Sequence, residues 1–245
     1  MAGKDAWTVP LPVRRVERSP YAALPDDQWP LTIPAVAQVM RDGLDLSAAT
    51  ILVGENGSGK STLVEAIAMA FGLSPEGGSI NGVHSTRPSE SQLHEEMRLV
   101  RGAGASKWGY FLRAETMHGL FSYLERLGGS PDPDFHQLSH GESFIAMLRT
   151  RRFAGDGFFV MDEPEAGLSF TAQLALVGAL IEALCEPGRQ VLIATHSPVV
   201  ASLPGATILQ LDDTGIHEVA WDDLDVVDHY RRFLDGPGRY LRHLG

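Results

Sequence analysis

Three short stretches of this chain carry side chains suited to handling phosphate. The first is Gly54-Glu55-Asn56-Gly57-Ser58-Gly59-Lys60-Ser61-Thr62, which fits G-x-x-x-x-G-K-S/T at every fixed position. Gly54, Gly57 and Gly59 let the backbone curl around an anion with successive N–H groups turned inward. The positive end of a following helix would face the same anion. Lys60 can reach the β- and γ-phosphates of a nucleotide, and the Ser61 hydroxyl can bind Mg2+. A glycine-rich turn that only caps a helix would explain the glycines but not Lys60-Ser61-Thr62.

The second stretch is Phe158-Phe159-Val160-Met161-Asp162-Glu163. Asp162 can support Mg2+ directly or through water, and Glu163 can polarise a water attacking the γ-phosphate. A pair of acids in a surface turn before Pro164 is the plainer alternative. The third is Val191-Leu192-Ile193-Ala194-Thr195 followed by His196. A lone histidine is usually structural. Here it ends a strand of the same type as the acidic one, within reach of a γ-phosphate.

These groups need rigid elements to hold them. Thr50–Val53 is an apolar strand run, and Leu63, Ile67 and Phe71 follow at helical spacing, so the loop joins a buried strand to a helix. Four consecutive apolar residues before Asp162 suit a strand covered on both faces, and parallel α/β sheets bind ligands at such carboxyl ends. The expected fold is α/β with a mostly parallel central sheet. Six prolines in residues 1–34 predict an extended, turning segment with edge strands near Val13–Val16 and Trp29–Ile33. Tyr21 and Trp29 could stack on an adenine ring but are read as core. A short helix before the Asp42-Gly43 turn follows.

Ser89-x-x-Gln92 resembles a capping box opening a helix to about Val100. A strand over Trp108–Ala114 and a helix from about Met117 to Leu127 come next. Ser139-x-x-Glu142 is a second capping box, opening a helix to about Phe153. Thr171–Cys185 is predicted helical with Leu174, Val177, Ile181 and Leu184 on one face. Thr207–Leu211 and Ile216–Ala220 flank a Gly-containing hairpin loop. Asp222–Leu234 is predicted helical, with Asp222, Asp223, Asp225 and Asp228 solvated.

Composition limits the function. The chain of 245 residues has net charge −11, which argues against a general nucleic-acid or anionic-membrane surface. Cys185 is the only cysteine, so neither an internal disulfide nor a cysteine zinc cluster is available. No apolar run is long enough to span a bilayer, and the first residues have no signal-peptide core. A cytoplasmic protein with no membrane insertion is expected.

Taken in order, the motifs resemble the ATP-binding-cassette superfamily of ATPases: phosphate loop, Leu138-Ser139-His140-Gly141-Glu142 as the signature, acidic strand, and His196 as the switch histidine. Glu165-Ala166-Gly167-Leu168-Ser169 stands where that superfamily has its D-loop. The signature form looks closer to the chromosome-maintenance (SMC) and RecF branch than to many transporters, and closest to small stand-alone bacterial AAA-family ATPases. Phe111-Leu112-Arg113-Ala114-Glu115 and the C-terminal Phe233-Leu234 and Tyr240-Leu241 fit that group.

The resemblance implies one domain over 1–245, with N-terminal antiparallel strands and a helical insert over about 73–153. It implies hydrolysis of ATP with Mg2+. Gly54 through Thr62 would hold the nucleotide, Ser61 and Asp162 the metal, Glu163 would act as base, and His196 would sense the γ-phosphate. Ser139 and Gly141 would contact the γ-phosphate across an ATP-dependent homodimer. The superfamily usually has Gln at the end of the strand before the insert; here Glu115, or Arg113, stands nearby. His140 replaces a signature glycine. The insert is too short for a long coiled coil and has no sustained heptad. Two other roles fit the same motifs. One is an ATP-gated clamp on DNA, which Arg149, Arg151 and Arg152 could touch. The other is the energy subunit of a transporter with separate membrane chains.

Overall fold

The computed structural model describes residues 10–75, 77–79, 92–114 and 140–242. Glu115, Ser139, the start of the Ser89 capping box and the predicted Met117–Leu127 helix lie outside them.

The centre is a seven-stranded sheet built around β3 (Ala49–Gly54), β6 (Gly109–Arg113), β7 (Gly157–Asp162), β8 (Arg189–Thr195) and β9 (Thr207–Asp212). Its order is β10-β9-β3-β8-β7-β6-β4, with β10 (Gly215–Glu218) and β4 (Gly78–Ser79) at the edges. The five inner strands pair in parallel and both edge strands are antiparallel. Parallel strands covered on both faces are apolar throughout, and all six residues of β7 are buried.

Alternate residues feed two cores. Leu52, Phe158, Val160 and Leu192 face the side of α2 (Lys60–Phe71), packing with Leu63, Ile67 and Phe71. Ile51, Phe159, Met161 and Ile193 face α3 (His140–Leu148) and α4 (Phe170–Leu184), packing with Phe144, Met147, Leu176 and Leu180. Each fully buried side chain of this kind contributes roughly 2 kcal/mol of transfer free energy.

A second, three-stranded antiparallel sheet is ordered β2-β1-β5. It uses β1 (Arg15–Arg18), β2 (Leu44–Asp45) and β5 (Met97–Val100), with α1 (Pro34–Asp42) beside it. Gln190 ties the strand to the segment entering this sheet. Its side chain is fully buried, donates to Val13 O at 2.6 Å and Ser47 O at 2.9 Å, and accepts from Val13 N at 2.9 Å. The short α5 (Pro198–Ala201), then α6 (Asp225–Asp235) and α7 (Gly238–Leu241), complete the chain. Asp222 pairs with Arg231 at 2.5 Å and Asp228 with Arg232 at 2.9 Å, and both carboxylates stay exposed to solvent, as expected.

Five local expectations are corrected. Trp29–Ile33 forms turns, not an edge strand. Tyr21 is 90% exposed and Trp29 59%, so neither is core. The segment to Val100 is a 3-10 turn, Gln92–His94, and then β5: pairing Leu99 with Val16 and Met97 with Arg18 overrides the helical start. The helix after the signature stops at Leu148. Thr150 Oγ1 donates to Met147 O at 2.7 Å, and a 3-10 turn inserts Phe153 between Tyr110 and Phe159. In α4 the buried face is Leu176, Val177 and Leu180; Leu174 and Ile181 are exposed. That helix is apolar on more than one stripe, so spacing alone leaves its rotation undetermined.

Candidate functional site

The loop Gly54–Gly59 leaves β3 and turns directly into α2. Gly59 caps the helix at φ +98°, the left-handed region, and a Cβ there would stand 2.8 Å from Ile33 Cγ2. At Gly54 a Cβ would run into the carbonyl oxygen of Leu211. The first backbone N–H groups of α2 have no partner within the helix and point along its axis, which is an anion site by construction. Ser58 Oγ is buried in the loop with no hydrogen-bond partner, a polar atom that a phosphate oxygen would satisfy.

Lys60 lies across the mouth of this loop. Its Nζ donates to Gly54 O at 2.8 Å and Glu55 O at 2.9 Å, and the residue is only 3% exposed. Burial lowers its pKa, opposed by the carboxylates of Glu163, Asp162, Glu165 and Glu55. The ammonium is therefore a desolvated cation aimed at the anion site, where its field is strong.

Ser61, one residue on, donates to Asp162 Oδ1 at 2.9 Å. Two hard oxygens at the ends of α2 and β7 are the donor type Mg2+ takes beside nucleotide phosphates. The residues thus fit the metal that the phosphate-loop pattern implies.

Glu163 follows Asp162 in a left-handed backbone conformation, φ +50°, which is uncommon for a residue with a side chain. Its N–H donates to Ala194 O at 2.9 Å, so the strain is held by the neighbouring strand. His196 Nε2 lies 3.2 Å from Glu163 Oε1. The loop after β8 is pinned as well. Glu165 Oε1 accepts from His196 N at 2.6 Å, and Ser197 Oγ donates to Gln173 Oε1 at 2.6 Å. The loops carrying Glu163 and His196 are therefore fixed to each other.

The structure thus brings Gly54 through Thr62, Asp162, Glu163 and His196 to one end of the sheet. Gly141 falls in the first turn of α3. Beside the loop, a cleft of about 780 Å³ runs towards β9 and α6, with Glu55, Asp212, Asp213 and Asp225 in its walls. Sequence reasoning missed Glu65 and Gln173, and marked Glu165 only as the start of the D-loop stretch, not as the group that holds His196 N. Glu65 stands one helical turn after Ser61 on the same face of α2, a spacing that could have marked it.

A family profile described as ABC transporter matches residues 43–166, and a second, the AAA domain profile named for AbiEii toxin and the Type IV TA system, matches residues 135–202. The chain is 30% identical over 167 residues to the cytochrome c biogenesis ATP-binding export protein CcmA of Rhizobium etli, covering 62% of this chain and 76% of that one. It is 31% identical over 170 residues to the manganese transport system ATP-binding protein MntA of a Synechocystis species, covering 60% and 64%. Among solved structures, the SMC head domain from Thermotoga maritima aligns at TM-score 0.47 and 14% identity, covering 86% of this chain and all of that one.

Proposed function

This chain belongs to the ABC transporter family and is an ATPase that uses ATP with Mg2+; from that premise we propose how its residues divide the work and that two copies act together. The loop N–H groups and Lys60 hold the phosphates. Ser61 and Asp162 hold the metal, which neutralises charge on the β- and γ-phosphates when bound. Glu163 takes a proton from the attacking water, and His196 holds Glu163 in place and contacts the γ-phosphate. Phosphoryl transfer needs little more than this positioning and neutralisation.

One observation carries the reading: Glu163, strained at φ +50°, sits 3.2 Å from His196 and next in chain to the Asp162 that accepts from Ser61. Glu163→Gln keeps the shape and removes the base. Its turnover should fall about a hundredfold or more, with ATP still bound. Turnover at the wild-type level would remove Glu163 from the role.

Gly141, in the first turn of α3, and Ser139, two residues before it in sequence, are proposed to contact a γ-phosphate of the partner copy, and Glu115 to orient metal or water. The working location proposed is the cytoplasm; among the described residues no helix is long and apolar enough to cross a membrane. A second reading is favoured by the names of the relatives. CcmA and MntA are ATP-binding proteins of an export and a transport system, so this chain could energise separate membrane chains. Affinity purification of Glu163→Gln with Mg-ATP from membranes tests it: recovery of a stoichiometric polytopic partner supports that reading, and recovery of the chain alone opposes it.

A further inference from the structure

β8 ends at Thr195 and the short α5 begins at Pro198, so His196 and Ser197 form the whole link between strand and helix. Ser197 is tied down locally. Its N–H donates to Thr195 Oγ1 at 3.0 Å, and its Oγ accepts from Val199 N at 3.0 Å and Val200 N at 3.1 Å. The same hydroxyl donates to Gln173 Oε1 at 2.6 Å. His196 is held from further off. Its backbone N–H donates to Glu165 Oε1 at 2.6 Å, across 31 residues of chain. Its ring Nε2 lies 3.2 Å from Glu163 Oε1.

Glu163 and Glu165 belong to one short turn after β7. Ala166 N donates to Glu163 O at 3.0 Å, and Leu168 N to Glu165 O at 2.8 Å. The turn therefore offers two carboxylates to one residue, one at the ring tip and one at the backbone. A contact at the ring alone fixes the tip, which other rotamers could reach from other backbone positions. A bond at the N–H fixes the base of the side chain as well. At 2.6 Å that bond is at the short, charge-assisted end of the range. Glu165 Oε2 is buried, so the carboxylate is packed within the protein. Glu165 also favours the charge of Lys60, but less than Glu163 and Asp162 do. Neither the phosphate-loop pattern nor the acidic-strand pattern includes Glu165.

We propose that Glu165 is a positioning residue for His196: by accepting the His196 N–H it sets the backbone from which the imidazole reaches Glu163, and so holds that pair in its working arrangement. The hydrogen bond carries the effect, not the charge of the carboxylate. This rests on the reading of Glu163 as the base and His196 as its partner at the γ-phosphate.

The test is steady-state ATP hydrolysis by wild type, Glu165→Ala, Glu165→Gln, Glu165→Asp, His196→Ala and the double variant Glu165→Ala/His196→Ala. Glu165→Ala should lower kcat about tenfold and leave KM within about twofold, because positioning is lost while the phosphate-holding groups are untouched. Glu165→Gln should stay within about threefold of wild type, since an amide oxygen accepts the same N–H. Glu165→Asp keeps the charge but draws it back by one methylene, and should fall about fivefold or more. The double variant should match His196→Ala within about twofold, because a residue that acts through His196 has nothing left to position. A readout free of nucleotide accompanies these. Hydrogen exchange at the His196 amide should quicken about tenfold or more in Glu165→Ala, while the Thr195 amide within β8 keeps its rate.

Wild-type kcat or an unchanged His196 amide in Glu165→Ala overturns the proposal. So does a double variant about tenfold slower than His196→Ala, which would give Glu165 a separate duty. Should Glu165→Ala fail to fold, the two conservative variants decide: an impaired Glu165→Gln beside a wild-type Glu165→Asp would make the charge the active feature and sink the idea. His196→Ala at the wild-type rate is a different failure. It would remove His196 from the reaction, and the role proposed for Glu165 falls with that reading.

Discussion

Lys60 has two opposed duties. Buried at 3% exposure, it carries a charge that desolvation disfavours and four carboxylates favour. With its pKa lowered on folding, the unfolded chain holds the proton more tightly than the folded one. The protonated side chain therefore costs stability at pH values below the folded pKa, and the cost vanishes only as pH rises through the interval between the two values. Bound phosphates would offset that cost. Lys60→Met keeps most of the stem and removes the charge. Without nucleotide its Tm should equal or exceed that of wild type. Its ATP turnover should fall about a hundredfold or more, as when one preorganised charge is taken from a phosphoryl-transfer site. Calorimetry and a phosphate-release assay read the two effects. Wild-type turnover would end the assignment of the loop, and a lower Tm would mean that the bonds to Gly54 O and Glu55 O outweigh the desolvation.

Among the elements, the strand–loop–helix unit was legible in the residues themselves, because each glycine, the lysine and the apolar flanks point to one local geometry. The acidic strand and the strand before His196 were legible too, as runs of apolar residues ending in polar ones. What sequence could not give was contact between distant segments. Leu99 pairs with Val16, so residues after His94 form a strand despite a helical start. The rotation of α4 depends on which of its apolar stripes meets Phe159 and Met161. Gln190 is the clearest case. It is the second residue of β8, between Arg189 and the apolar run that starts at Val191, and nothing in its neighbourhood announces the three bonds it makes to Val13 and Ser47. Gln190→Leu preserves volume but strands Val13 N–H and two carbonyls in the interior. The expected loss is about 3 kcal/mol of unfolding free energy, from buried polar groups left without partners. Urea denaturation should report it as a lower midpoint at unchanged slope. A loss under about 0.5 kcal/mol would mean that water reaches those groups.

At the scale of the whole molecule, the charge of −11 makes a broad nucleic-acid surface a poor expectation, although Arg149 and Arg151 are exposed after α3. The stronger argument concerns a second copy. In the proposed reading, the phosphate site of one chain is walled on three sides by the loop, Asp162 with Glu163, and His196. The start of α3, with Gly141 in its first turn, is a second helix N-terminus of the kind that binds anions, yet the chain's own phosphates already have one. Such a helix start gains a purpose when it closes on a neighbour's γ-phosphate. The plainer alternative is that Ser139 only caps its own helix, worth roughly 1 kcal/mol. The two part company in solution. Glu163→Gln, loaded with Mg-ATP, should accumulate a dimer by light scattering and remain monomeric without nucleotide. Adding Ser139→Arg should abolish the dimer, since a bulky cation at that helix start blocks the partner's approach, while ATP affinity of the monomer stays within about twofold. A Glu163→Gln protein that binds ATP tightly and stays monomeric across a broad concentration range would leave the capping role as the whole account of Ser139, and would return the search for what closes this site to a different polypeptide.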